Sequence, residues 1–309
     1  MNSSLARVFP GPLARATRAI RRRLSPTTVI EPRRVPRVET FYWQSPLGVN
    51  FGDYLGSVIV QRMLATRELL PDEEAERDRR LLSVGSVLHF ARNGDTIWGS
   101  GMNGKVPANE HTFDHLDVRA VRGLLTKRFL ELRGVHCPET FGDPGLLVRQ
   151  LLPQRLAPTT DRTPVCYVPN LHDRGFMEGW ENVISPLGHW ADVIRRIAAS
   201  EHVISSSLHG LVVADAFGIP CTYLRCSETE GLFKYEDYVL GVGRAELKVT
   251  TSRSEAIRSS PLDPVTLRLN PLKRAFPFDL WASPQAYKNS SLPNARGGVE
   301  PSSRSRSES

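Results

Sequence analysis

The sequence predicts an α/β protein built as two Rossmann-like lobes, each with a parallel sheet. Three observations lead there. Short apolar strand patterns alternate with helical ones, which argues parallel strands with helices on both faces. The alternation runs twice, and the Pro-, Thr- and Gln-containing stretch at 151–163 interrupts it. The length of 309 residues exceeds one small core and suits two lobes of ordinary size. The lobes are expected at 39–155 and 156–285, between a basic arm at 1–38 and a Ser-rich tail at 286–309.

In the first set, "ETFYWQS" (39–45) reads as a strand, followed by the loop "PLGVNFGD" and a helical run from 54 to about 69. "LLSVGSVL" (81–88) and "TIWGSG" (96–101) read as buried strands ending in glycine-rich loops. "DVRAVRG" (117–123) is strand then turn, and "LLTKRFLELRG" has helical spacing with a stop at Gly134. "FGDPGLL" is a Pro/Gly turn. In the second set, "VCYVPN" (165–170), "NVISP" (182–186), "HVISSSL" and "CTYLR" (221–225) read as strands. "HWADVIRRIAAS" (189–200) reads as a helix, and "GLVVADAFG" as one closed by Gly218.

The net charge of +7 suggests an anionic partner. It is concentrated in residues 1–38, where nine arginines meet a single acid, Glu31; the remainder is near neutral, which argues against a nucleic-acid-binding fold. The arm reads either as a basic amphipathic helix suited to an anionic membrane or as a solvated tail, and a transit peptide has similar composition. The segment 289–309 reads as disordered. No apolar run approaches the ~18–20 residues of a membrane span. Cys137, Cys166, Cys221 and Cys226 show no C-x-x-C pair and read as small buried hydrophobes in a reducing compartment. The histidines show no H-E-x-x-H spacing, and no metal is expected.

The segment "HVISSSLHGLVVADAFGIP" (202–220) sets a strand directly before a helix. In open parallel sheets, ligands bind at the carboxyl ends of strands. Helix-start N–H groups beside Ser206 and Ser207 would favour an anion, and His209 would add a donor or a proton. Equally, Ser207 would simply cap the helix and His209 be a satisfied turn residue.

These residues resemble the polysaccharide pyruvyl transferase family. "VISSSLHGLVVADAFGIP" resembles its most diagnostic segment. "NFGDYLG" (50–56), "VGSVL" (84–88), "WGSG" (98–101), "VRGLLT" (121–126), "GDPGLL" (142–147) and "GLFKYEDYVLGVGR" (231–244) follow in the expected order. The resemblance implies a two-lobed architecture similar to the GT-B glycosyltransferases. It also implies transfer of pyruvate from phosphoenolpyruvate onto two hydroxyls of one sugar, as a ketal, with no cofactor besides that co-substrate. The sugar would belong to an exopolysaccharide or cell-wall precursor, and the enzyme would be cytoplasmic, with peripheral contact to the inner membrane face open.

By the same resemblance, His209 lies beside the donor and Asp53 is the general base on a sugar hydroxyl, although aspartate is also a preferred N-cap. Asn50 and Gly52 would shape the Asp53 loop. Arg122 would bind donor phosphate or carboxylate through paired hydrogen bonds, with Arg119 a weaker candidate. Lys234 would face the phosphate, or pair locally with Asp237. Asp143 reads as a turn residue. Gly85, Gly99 and Gly101 would admit a ligand or make tight turns. Two rival readings are a glycosyltransferase using a nucleotide-sugar donor and an inactive scaffold.

Overall fold

Two four-stranded sheets form, each in simple sequence order and wholly parallel. The computed structural model describes residues 35–156 and 161–281, so most of the basic arm and all of the Ser-rich tail lie outside the described residues. The first sheet holds β1 (Val38–Phe41), β2 (Arg79–Leu82), β3 (Thr96–Trp98) and β4 (Asp117–Ala120). The second holds β5 (Thr163–Val168), β6 (Ser200–Ser205), β7 (Cys221–Leu224) and β8 (Val249–Thr250). The fold class read from the alternation is therefore the one observed, and both sheets lie in a contact unit that begins at Pro36.

Helix α1 (Phe51–Ala65) follows β1, and α2 (Leu124–Leu132) follows β4. After α3 (Val148–Leu151), the second half contributes α4 (Trp190–Ala198), α5 (Leu208–Phe217), α6 (Phe233–Gly241), α7 (Arg253–Arg258) and α8 (Leu269–Arg274). α5 ends where Gly218 turns left-handed at φ 69°, as its sequence anticipates. α1 and α5 are buried on most sides, and Leu55, Leu146, Leu211 and Val212 share one apolar cluster.

Two expectations need correction. "NVISP" forms no strand; Val183 makes one isolated bridge to Tyr167. The closing segment 269–281, assigned by sequence to the second lobe, packs back on the first sheet. There Trp98 Nε1 donates to the Leu272 carbonyl at 2.9 Å, and Phe276 meets the Trp98 ring edge-on. Burying two large aromatic rings is worth several kcal/mol at roughly 25 cal/mol per Å².

Candidate functional site

The site forms where β6 ends and α5 begins. Ser205 Oγ donates to the Val168 carbonyl at 2.8 Å and accepts from the Ser207 amide at 3.0 Å. Ser206 Oγ accepts from the Asn170 amide at 2.9 Å. These bonds bend the chain out of the sheet and into α5, whose N-cap is Ser207. The Ser207 hydroxyl makes no capping bond, so it faces the pocket without that duty. His209 falls in the first turn of α5. It is only 8% exposed, and its Nε2 has no hydrogen-bond partner. His209 Nε2 thus lacks the protein partner that a satisfied turn residue would have.

α1 approaches from the first lobe. Its N-cap is Asn50, whose Oδ1 accepts from the Gly52 amide at 3.0 Å. Asn50 thus does the capping, and Asp53, in the first helical turn, is free of it. A Cβ on Gly52 would stand 2.1 Å from His209 Nδ1, so only glycine lets α1 lie this close to the imidazole. Gly85, at φ 103°, lies beneath both side chains. A Cβ there would be 3.7 Å from Asp53 Oδ1 and 3.9 Å from His209 Cε1. Asp53 and His209, far apart in sequence, therefore converge over one glycine.

They face a cavity of about 320 Å³, which Asn50, Ser207 and Lys234 also line. That volume is at the lower end for small-molecule sites. Burial pushes the Asp53 carboxyl up to about 7, with Lys234 pulling the other way. Burial, reinforced by the nearby Lys234 and Arg122 charges, pushes His209 down to about 3. Near neutral pH the pocket thus holds a carboxyl poised between its two forms and an uncharged imidazole. Such a divergent pair suits proton transfer. Burial also lowers Lys234, opposed by Glu230, whose Oε1 lies 2.5 Å from Nζ.

Other expected residues lie elsewhere. Arg122 is wholly buried and is not on the cavity wall. Its Nε donates to Asp237 Oδ2 at 3.0 Å, Nη1 to Ser86 Oγ at 2.5 Å and Nη2 to the Met102 carbonyl at 2.6 Å. Asp237 further accepts from the Thr126 amide and hydroxyl at 2.8 and 2.7 Å. A guanidinium buried this deeply needs such partners, so Arg122 stands behind the pocket and touches it through Ser86. Lys234 pairs with Glu230, leaving Asp237 to Arg122. Ser206 is buried off the wall, and Arg119 is held outside by Asp117 and Asp279. Asp143 caps its turn, accepting from the Gly145 amide at 2.8 Å. Gly99 and Gly101 abut Pro144 and Arg122.

The sequence reading missed Trp43, Ser86, Phe90, Asn103 and Lys105 on the cavity wall. The only signal for the last two was the Asn103-Gly104 turn pair just past β3. His111 and His115 do stand four apart, but His111 is buried with Nδ1 on the Pro107 carbonyl. Among the described residues no His, Cys, Asp and Glu group is placed to hold a metal.

Residues 77–228 match the family model described as polysaccharide pyruvyl transferase. The chain is 30% identical over 244 residues to the succinoglycan biosynthesis protein ExoV of Rhizobium meliloti (strain 1021), covering 71% of each chain. It is 23% identical over 220 residues to an uncharacterized protein of Acanthamoeba polyphaga mimivirus, covering 65% of this chain and 74% of that one. A crystal structure of a functionally uncharacterized protein from Klebsiella pneumoniae subsp. pneumoniae NTUH-K2044 overlaps 70% of this chain and 93% of its own, with 14% identity and a TM-score of 0.42.

Proposed function

The chain belongs to the polysaccharide pyruvyl transferase family, and on that premise we propose that it moves pyruvate from phosphoenolpyruvate onto two hydroxyls of one sugar as a ketal. The convergence of Asp53 and His209 over Gly85, beside Lys234, carries this reading. The acceptor would be a sugar of an exopolysaccharide or its lipid-linked precursor, in keeping with the name of the Rhizobium meliloti relative.

The reaction needs one proton on the methylene carbon of the donor, two new carbon–oxygen bonds at its central carbon and departure of phosphate. In net count the two hydroxyl protons balance the one gained by the methyl group and the one gained by the phosphate, with Asp53 returning its proton to solvent as His209 draws one in. Asp53 takes the proton from the first attacking hydroxyl, a role its raised proton affinity suits at neutral pH. His209 lines the cavity, and its Nε2 is buried without a partner in the protein. The donor's negative charge raises the imidazole's proton affinity, so donor binding draws in the proton that His209 passes to the methylene carbon. Lys234 and the Ser207 hydroxyl hold the anionic groups, while Arg122 fixes Ser86 from behind. No cofactor enters this scheme.

Among the described residues no helix is long and apolar enough to cross a membrane. Contact with an anionic membrane would fall to the arginine-rich arm. Melting measurements test the donor: phosphoenolpyruvate should raise Tm, and nucleotide-sugars should not. The reverse pattern favours the glycosyltransferase reading.

A further inference from the structure

Lys105 reaches the pocket from the first lobe on a loop that folds in a defined way. Asn103 Oδ1 accepts from the amides of Lys105 at 2.8 Å and Val106 at 3.1 Å, closing an Asx turn. Asn103 Nδ2 lies 3.3 Å from His89 Nδ1. Gly104, at φ 72°, has no room for a side chain, since a Cβ would stand 2.4 Å from that of Phe233 on α6. The loop thus rests on the helix that carries Lys234. Between the two lysines lies Glu230. Lys105 Nζ is 2.5 Å from one carboxylate oxygen and Lys234 Nζ is 2.5 Å from the other. The side chain of Glu230 is 8% exposed, that of Lys234 16% and that of Lys105 45%.

A bridge that served only to tie the lobes would need one lysine for one carboxylate. Here two ammonium groups share a single negative charge, and they repel each other. The mutual repulsion contributes to holding Lys234 below its ordinary value. Among Lys105, Glu230 and Lys234, one carboxylate leaves one positive charge over, partly offset by Asp53 and Asp173 near Lys234, whereas a phosphate dianion would balance both lysines. Each ammonium has three N–H donors, so each keeps some for a ligand after meeting Glu230. Both lysines line the cavity that holds Asp53 and His209.

We propose that Lys105 and Lys234 together form the phosphate-binding site of this pocket, and that Glu230 is the counter-ion the ligand's anionic group displaces. As an assignment of the donor's phosphate, this rests on the reading of the donor given above. The affinity of the two lysines for a phosphate dianion follows from their charges and their shared counter-ion alone.

The test measures melting shifts at pH 6.5 with inorganic phosphate and with phosphoenolpyruvate, on the wild type, Lys105→Met and Glu230→Gln. Both ligands should raise Tm of the wild type. Lys105→Met should weaken both roughly tenfold or more, through loss of a charge-assisted contact, with ligand-free Tm near wild type. Glu230→Gln should bind both at least as tightly as wild type, because a competing anion is gone. The proposal is overturned if the wild type binds neither ligand or if Lys105→Met binds as wild type does. It is also overturned if Glu230→Gln loses as much affinity as Lys105→Met, which would make the lysines partners of Glu230 alone. If phosphate binding depends on Lys105 while phosphoenolpyruvate binds no form, the phosphate site stands and the donor reading falls.

Discussion

His209 Nε2 has no partner in the protein, while Asp53 carries a carboxyl pushed up to about 7. Both conditions cost stability, which is expected of groups kept for chemistry and not for folding. For Asp53 the folded pKa lies above the ordinary 3.8, so the folded state binds the extra proton between these values. Its burial therefore weakens the fold as pH rises from about 4 through 7. Asp53→Asn removes this cost. The variant should be more stable than wild type at pH 8, by on the order of 1–4 kcal/mol, with the difference gone near pH 4 and activity lost. His209 runs the other way: its depressed pKa means stability is lost as pH falls below about 6.5 toward 3. His209→Gln, neutral and similar in size, should fold and yet lose roughly 10²–10⁴ in kcat. The sequence singled out both residues but not their titration, because their burial depends on α1 and α5 meeting in space. It misplaced Arg122 for the same reason: the partner that buries it, Asp237, lies 115 positions away.

The contact between the start of α1 and the start of α5 is the element that assembles the site. Gly52→Ala drives a methyl into His209, and overpacking of this kind costs typically 1–3 kcal/mol. Activity should fall further than stability, because the imidazole itself must move. Gly175→Ala, where a Cβ meets nothing within 4 Å, should leave both unchanged and serves as the control. The Arg122–Asp237 pair joins the turn after β4 to α6. Arg122→Met leaves a buried carboxylate without its cation, at a cost of about 3–5 kcal/mol. Chemical denaturation should show that loss; a stable variant with only a raised donor KM would return Arg122 to the cavity wall. Most strands were legible as short apolar runs. "NVISP" has the composition of one, but it meets β5 in a single bridge, through the Asn182 carbonyl and the Ile184 amide on Tyr167. β8 spans two residues, too short for any period to show.

At the scale of the molecule, the alternation of strands and helices disclosed two parallel sheets, because buried parallel strands must be apolar and must be joined by crossovers. It did not disclose that the chain returns to the first sheet at its end. The Trp98–Leu272 hydrogen bond spans 174 positions, and no local pattern encodes such a contact. The two sheets matter to the site because the α1 start, in the first half, and the α5 start, in the second, each bring one titratable side chain to one cavity. Neither half holds the site alone. Most of the arginine-rich arm stands outside the described residues; a chain beginning near Val38 should bind anionic vesicles less than the full chain at low salt if the arm is a membrane contact. On the proposed function, the Asp53–His209 pocket installs pyruvate ketals on a polysaccharide. Its most direct test is mass spectrometry of polysaccharide from cells lacking the gene, complemented with either the wild-type or the His209→Gln copy. Pyruvate ketals should appear with the wild type and be absent with the variant, although folded variant protein accumulates. Ketals at wild-type levels in the variant, or none with the wild type, would contradict the account.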